Sequence, residues 1–527
     1  MIDKLSNQSR IIIATALSFV FFASYNYFFM PQQDTTTSAS QTKVLEQKEE
    51  TSSKAPAGVS QNVSTPKVAQ APINQGDILV SVTADNYELN IDKLGRINKF
   101  YLKEKKFVLD NGKKMQLIDA DLATFPLEIR FSDDNLNTQA FSESYTADTN
   151  AITVTPEGAT VVLTQVLDGV TVTKTLKFYP AGNYEADISF DNSKSYFITP
   201  GYRPNQAVDA YTFHGALIKE ADGTHTPIED GDAKGTESFI NAKIAAGADK
   251  YYTTALYNFD EGFDVVVQSG KEEVPLLFIK AEGNKKLGGY IGPKEYKTLF
   301  KIDQRLTDII EYGFFTFISK PLFLLLAYLD TLLGNWGWAI VVMTLIIRLV
   351  LFPLTYKGMV SMNKLKELSP KIKELQAKYK GDNQKLNAHM MELYKKHGAN
   401  PMGGCLPILL QIPVFFAIYR VLQNAIELKA APWILWVEDL AVMDPYFILP
   451  VAMGVTMFIH QRLTPTNFTD PMQEKIMKFL PLIFTFFFVT FPAGLTLYWF
   501  TNNLASIAQQ YYVNSLFAKN KEKKADA

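Results

Sequence analysis

One cysteine, Cys405, stands among 527 residues, so no disulfide can form within the chain and any exported part must be held by packing. The five histidines are scattered, with no HxxxH or HExxH spacing, which leaves a metal site without a ligand set. Residues 77–300 contain no nucleophile elbow, phosphate loop or paired ligands, and His214 and His225 read as ordinary surface or core histidines. No catalytic residue, metal or cofactor is expected. A further absence lies in the C-terminal third, where no Asp or Glu falls inside any long apolar run.

What is present is strongly segregated. The totals of 52 basic and 54 acidic residues nearly balance, and the mean hydropathy of -0.02 averages a polar middle with a phenylalanine-rich C-terminal third. Residues 1–30 carry Lys4 and Arg10 ahead of the apolar run Ile11 to Phe29, with no small-x-small cleavage site following, and read as an uncleaved signal anchor. Residues 31–76 are Gln, Thr, Ser, Ala and Pro, the composition of a flexible linker. Over 77–300, alternating runs such as "AITVTPEGATVVLTQV" and "VTVTKTLKFY" predict an antiparallel β-sandwich. Residues 301–334 show helical spacing interrupted by Asp303, Arg305, Asp308, Glu311, Lys320 and Asp330, which suits one amphipathic helix in the membrane interface.

Residues 335–517 hold five spanning candidates: Trp338–Tyr356, Leu406–Ile426, Tyr446–Ile459, Ile476–Phe491 and Leu495–Tyr512. The N-terminal anchor makes six. Residues 357–400 carry ten lysines against four acids, whereas 427–445 carry one lysine against four acids, and the tail 518–527 is again lysine-rich. The lysine excess puts both termini and the 357–400 segment in the cytoplasm and the β-rich domain outside, in the periplasm of a cell with two membranes. Ser369 and Pro370 look like the start of a helix, "GDN" its break and Gly398 the end of a second, giving a hairpin with Ile372, Leu375, Leu386, Met390 and Leu393 inward.

Within "NWGWAIVVMTLIIRLVLFPLT" a single cation, Arg348, follows Trp338 by ten residues. If the tryptophan marks the headgroup level, a rise of about 1.5 Å per residue puts the guanidinium roughly 15 Å inward, at the midplane of a hydrocarbon layer about 30 Å thick. Such a charge costs about 3 kcal/mol on insertion scales and normally faces protein or water with a partner. No carboxylate is available within the spans, which excludes an internal salt bridge and an acid-based proton relay. Three readings stay open on residues alone: a structural arginine held by carbonyls, the lining of a channel, or the charge of a wet cavity with a transient occupant. Thr344, Gln411, Thr485, Thr501, Asn502, Asn503, Ser506 and Gln509 could hydrate that cavity, with Asn502, Ser506 and Gln509 on one helix face.

Six motifs in order, "GNWGWAIVVMTLIIRLVLFPLT", "NPMGGCLPILLQIPVFFAIYRVL", "APWILWVEDL", "DPYFILPVAMGVTMF", "DPMQEKIMKFLPLIFTFFF" and "FPAGLTLYW", closely resemble the core of the bacterial YidC membrane protein insertases over Asp303 to Phe517. The resemblance implies an α-helical polytopic membrane protein with six transmembrane helices, five forming the insertase core, plus an all-β periplasmic β-supersandwich related to sugar mutarotases. It implies a non-enzymatic insertase and chaperone of the bacterial inner membrane, acting alone or with the Sec translocon on nascent membrane proteins. Arg348 would draw in the substrate's polar tail in a groove also lined by Thr344, Gln411 and Tyr498. Asn502 and Ser506 join that groove on the polar-face argument above. Phe415, Phe484 and Phe488 would form the apolar slide into lipid. The cytoplasmic hairpin and tail would meet the ribosome, the signal recognition particle and its receptor, with no sequence-specific nucleic-acid binding. Trp499 departs from the family's second tyrosine. The competing class is an ion or solute transporter or channel with an exported carbohydrate-binding domain; a third reading is a scaffold between envelope factors.

Overall fold

The computed structural model describes residues 77–108, 112–118, 124–207, 212–313, 315–379, 381–398, 406–464 and 471–525. The expected signal anchor and linker, residues 1–76, lie outside these, as does Cys405. Two compact units divide the described chain, one ending at Ile310 and one beginning at Glu311.

The first unit is built from β-sheets of five, nine and five strands. Alternation along the sequence becomes alternation of burial. Val170–Phe178 reads buried, half-buried throughout, and Val161, Leu163, Val172 and Leu176 are fully buried. Asp168 and Gly169 form the two-residue turn between paired Leu167 and Val170, with Gly169 at φ +71°, the left-handed conformation such hairpin turns require. The expectation of an antiparallel sandwich needs one amendment, because Ser81–Thr83 pairs in parallel with Ala151–Thr153. That pairing is possible because a long connection, which includes helix α1 (Asp134–Ser142), brings the chain back to the sheet edge. The unit closes with α2 (Tyr296–Ile302) and a 3-10 turn, Gln304–Ile309.

Its core contains a group of charges. Arg96 donates through Nε to Asp92 at 2.9 Å and through Nη1 to Glu128 at 3.0 Å, and Arg130 Nε donates to Glu128 at 2.8 Å. Lys174, fully buried beside them, donates to the Gly95 and Leu127 carbonyls at 2.9 and 2.8 Å. Burial pushes the Lys174 ammonium down from its ordinary 10.5 to about 7. Between those values the unfolded chain holds a proton that the folded chain has lost, so stability gains about 1.4 kcal/mol per pH unit as pH rises through this window. Below pH 7 both states are protonated and the gain is absent. Thermal unfolding of the full chain from pH 6 to 9 is expected to show this rise, and Lys174→Met to flatten it.

The second unit is helical. Its described helices are α3 (Thr316–Leu333), α4 (Trp336–Lys378), α5 (Asn383–Lys396), α6 (Leu406–Asn424), α7 (Ile448–Leu463), α8 (Pro471–Phe488) and α9 (Ala493–Ala525). The single interfacial helix expected over 301–334 is split: the charges at 303–308 precede a break at Gly313, φ +72°, and α3 is apolar and long enough to cross a membrane. α4 passes the same test, whereas Ile448–Leu463 and Met477–Phe488 are shorter apolar helices. A second correction concerns Ser369 and Pro370, which lie inside the 43-residue α4 and start no helix. Proline costs the helix one donor there. Packing decides against the break: Leu368 and Ile372 are buried under Met390, Leu393 and Tyr394. Of the residues expected inside this hairpin, Leu375 and Leu386 are half-buried.

The start of α4 is fixed by Asn335, whose side chain accepts from Trp338 N at 3.0 Å and donates through Nδ2 to the Pro432 carbonyl at 3.0 Å. Gly337 lets Trp433 lie on the helix: a Cβ there would fall 2.2 Å from the indole Cδ1 and 2.4 Å from Cγ. Gly337→Ala is therefore expected to destabilise the helical unit by about 1–3 kcal/mol through overpacking, read as a lower melting temperature in detergent.

Candidate functional site around Arg348

Arg348 sits on α4 and is 9% exposed. Its Nε donates to Asn502 Oδ1 on α9 at 2.7 Å, and the same oxygen accepts from Gln411 Nε2 on α6 at 3.1 Å. Tyr498, buried on α9, lies beside Gln411. Gln509, two turns along α9 from Asn502, donates to the Arg348 carbonyl at 3.2 Å. That carbonyl adjoins the one on Leu349, whose usual helical donor is removed by Pro353. Three helices thus converge on one cation through neutral amides. Among the described residues no carboxylate pairs with Arg348, and its two terminal nitrogens make no hydrogen bond yet retain accessible surface.

Other sequence-predicted groove residues behave differently. Thr344 and Ser506 are buried beside this cluster on the same helices, but their hydroxyls donate back to the Ile340 and Asn502 carbonyls at 2.7 Å. Each keeps lone pairs to offer and no free donor. Thr485 is likewise satisfied by the Pro481 carbonyl at 2.7 Å, and Asn503 donates to the Met453 carbonyl on α7 at 3.4 Å. The first bond closes within α8 and the second joins α9 to α7, and the structure does not bring either residue to Arg348.

The phenylalanines meet at a residue the sequence reading set aside. Phe415, Phe484 and Phe488 lie 5.2, 6.2 and 5.5 Å from the Trp499 ring, centroid to centroid. Phe416, Phe486 and Phe487 nearby are exposed, so an apolar surface continues outward from this aromatic group. Trp499 follows Tyr498 on α9, one turn before Asn502, and so joins the aromatic group to the amide cluster. Its signal in the sequence is its departure from the family's second tyrosine.

At one end of the bundle the chain seals itself. The loop between α6 and α7 is clamped to the first residues of α9, with Ala493 N donating to the Val442 carbonyl at 2.7 Å and Gly494 N to the Leu440 carbonyl at 2.9 Å. Asp444, 1% exposed, accepts from Trp436 Nε1 at 2.9 Å and from the Tyr446 and Leu449 amides at 3.0 and 2.7 Å.

A family model described as 60Kd inner membrane protein matches residues 328–522, and one described as YidC periplasmic domain matches residues 79–325. A Campylobacter jejuni protein called membrane protein insertase YidC is 51% identical over 99% of this chain and 98% of its own length. The chain belongs to the YidC family. Relatives of the same description from Wolinella succinogenes and Helicobacter pylori are 52% and 47% identical, covering 97% and 98% of this chain and 96% and 98% of their own. Family membership makes the protein an inner-membrane protein with a periplasmic domain, and the β-rich unit lies within the periplasmic-domain match. The Arg348 cluster lies wholly within the other match.

Proposed function

We propose that the protein inserts newly made membrane proteins, and helps them fold, through a polar intramembrane groove centred on Arg348. A substrate's short polar or acidic tail pairs briefly with the guanidinium, its apolar neighbour slides along Phe415, Phe484, Phe488 and Trp499 into lipid, and the tail is released outward. Partition between water, groove and lipid suffices, with no covalent step and no nucleotide. The observation that carries this reading is the buried guanidinium itself: among the described residues no carboxylate pairs with it and neither terminal nitrogen has a hydrogen-bond partner. A permanently resident cation normally has its donors satisfied.

The topology that fits this mechanism has six spans, both termini and the Lys-rich hairpin in the cytoplasm, and the β-rich unit in the periplasm. The hairpin and tail then face the ribosome and the signal recognition particle receptor, and the spans face the Sec translocon. Photocrosslinkers at Phe415 and Tyr498 are expected to capture a stalled nascent chain carrying one apolar segment. Adducts from neither position, with adducts from a lipid-facing site such as Phe486, would place the substrate elsewhere.

A further inference from the structure

An arginine side chain presents five N–H donors in a planar fork: one on Nε and two on each terminal nitrogen. Among the described residues only the Nε is engaged, at Asn502 Oδ1. Because an arginine N–H can only donate, the atom of Asn502 facing it must be the oxygen, which fixes that amide's orientation. Gln411 donates to the same oxygen from the opposite helix, so Asn502 is itself held between α4 and α6. Gln509 then grips the backbone of Arg348.

A carboxylate can approach a guanidinium side-on, through Nε and one terminal nitrogen, or end-on, through both terminal nitrogens. Asn502 blocks the first approach. We propose that Asn502 is the positioning residue of the insertion site: by occupying Nε it turns the end-on edge of Arg348 toward the accessible space, where it takes substrate carboxylates in a two-point geometry. This rests on the reading of Arg348 as the contact for substrate tails. The residue type matters as much as the place. A neutral amide is an acceptor that fixes the fork without cancelling its charge, whereas Asp or Glu in the same position would form a permanent ion pair and occupy the site from within.

Asn502→Asp therefore separates function from stability. Purified full-length protein in liposomes would be offered a single-span substrate with an Asp-containing tail and its Asn-tailed counterpart, with melting temperature measured in parallel. The expected result is an unchanged or higher melting temperature and at least a tenfold slower insertion of the Asp-tailed substrate, with a far smaller loss for the Asn-tailed one. Asn502→Leu, which frees the fork to rotate, is expected to slow the Asp-tailed substrate about threefold and to have no further effect in an Arg348→Lys background, since an ammonium has no fork to orient. Insertion of the Asp-tailed substrate at the unaltered rate by Asn502→Asp, or an equal loss for both tails, would overturn the positioning role. If Arg348→Ala also inserts the Asp-tailed substrate normally, the groove reading itself fails; if Arg348→Ala is defective while Asn502→Asp is not, only the role of Asn502 falls.

Discussion

Arg348→Glu is expected to abolish insertion of substrates with acidic tails, and Arg348→Lys to retain a large part of it. Two unit charges about 4 Å apart interact by about 4 kcal/mol at an effective dielectric of 20, and reversing one of them turns that attraction into repulsion. Even a third of this difference approaches a hundredfold in rate, since every 1.4 kcal/mol is tenfold. Neutral-tailed substrates feel neither effect and are expected to lose far less. A membrane potential adds about 2.3 kcal/mol per charge per 100 mV for an anionic tail moving outward, so the defect of Arg348→Lys should shrink as the potential is raised in liposomes. Equal loss in both variants would contradict a charge-based role. A buried cation without a carboxylate among the described residues is a cost to the fold, and Arg348→Met, of similar length and apolar, is expected to raise the melting temperature of the helical unit while insertion of acidic tails is lost.

How much of this could be read from residues depends on the range of the interactions. Alternation over 159–178 is local, and the antiparallel strands it predicts are observed, joined by the Asp168–Gly169 turn. The gathering of Asp92, Arg96, Glu128, Arg130 and Lys174 was not legible, because charges in short strands read as outward-facing until their partners, dozens of residues away, are known. Pro370 misled for a related reason: helix-start chemistry is local, while the packing of Leu368 and Ile372 under α5 that overrides it is not. At the site, Arg348 was visible as a lone charge in an apolar run, and Asn502, Ser506 and Gln509 as a polar stripe. Their pairing spans 154 residues for Arg348–Asn502 and 91 for Gln411–Asn502, beyond any spacing rule. Trp499 was noticed only as a departure from a family pattern, yet three phenylalanines pack on it.

Glu128→Ala is expected to unfold much of the β-rich unit at temperatures where the unaltered protein is intact. The carboxylate is 3% exposed and joins two guanidiniums that are themselves 7% and 3% exposed, with N–O distances of 3.0 Å to Arg96 and 2.7 Å to Arg130. Arg96 keeps Asp92 at 2.8 Å, but Arg130 has its ion pair with Glu128 removed outright. Stripping one partner from a buried pair costs about 3–5 kcal/mol, a large share of the 5–15 kcal/mol that holds a typical domain. The neighbouring backbone adds to the loss, since Lys174 holds the Gly95 and Leu127 carbonyls, each one residue from a member of the network. Glu128→Gln, which keeps the shape and an acceptor, should cost markedly less. Replacing Glu128 and Arg130 together by apolar residues of similar volume should recover most of the stability, because Arg96 keeps its pair with Asp92 and no orphaned charge then remains. Circular dichroism melts of the full chain at the β-sheet signal distinguish these three outcomes. On the proposed role of Arg348 the ratio of acidic-tail to neutral-tail insertion depends on the helical unit alone, so that ratio is expected to stay fixed in Glu128→Gln, even as the melting temperature of the β-rich unit falls.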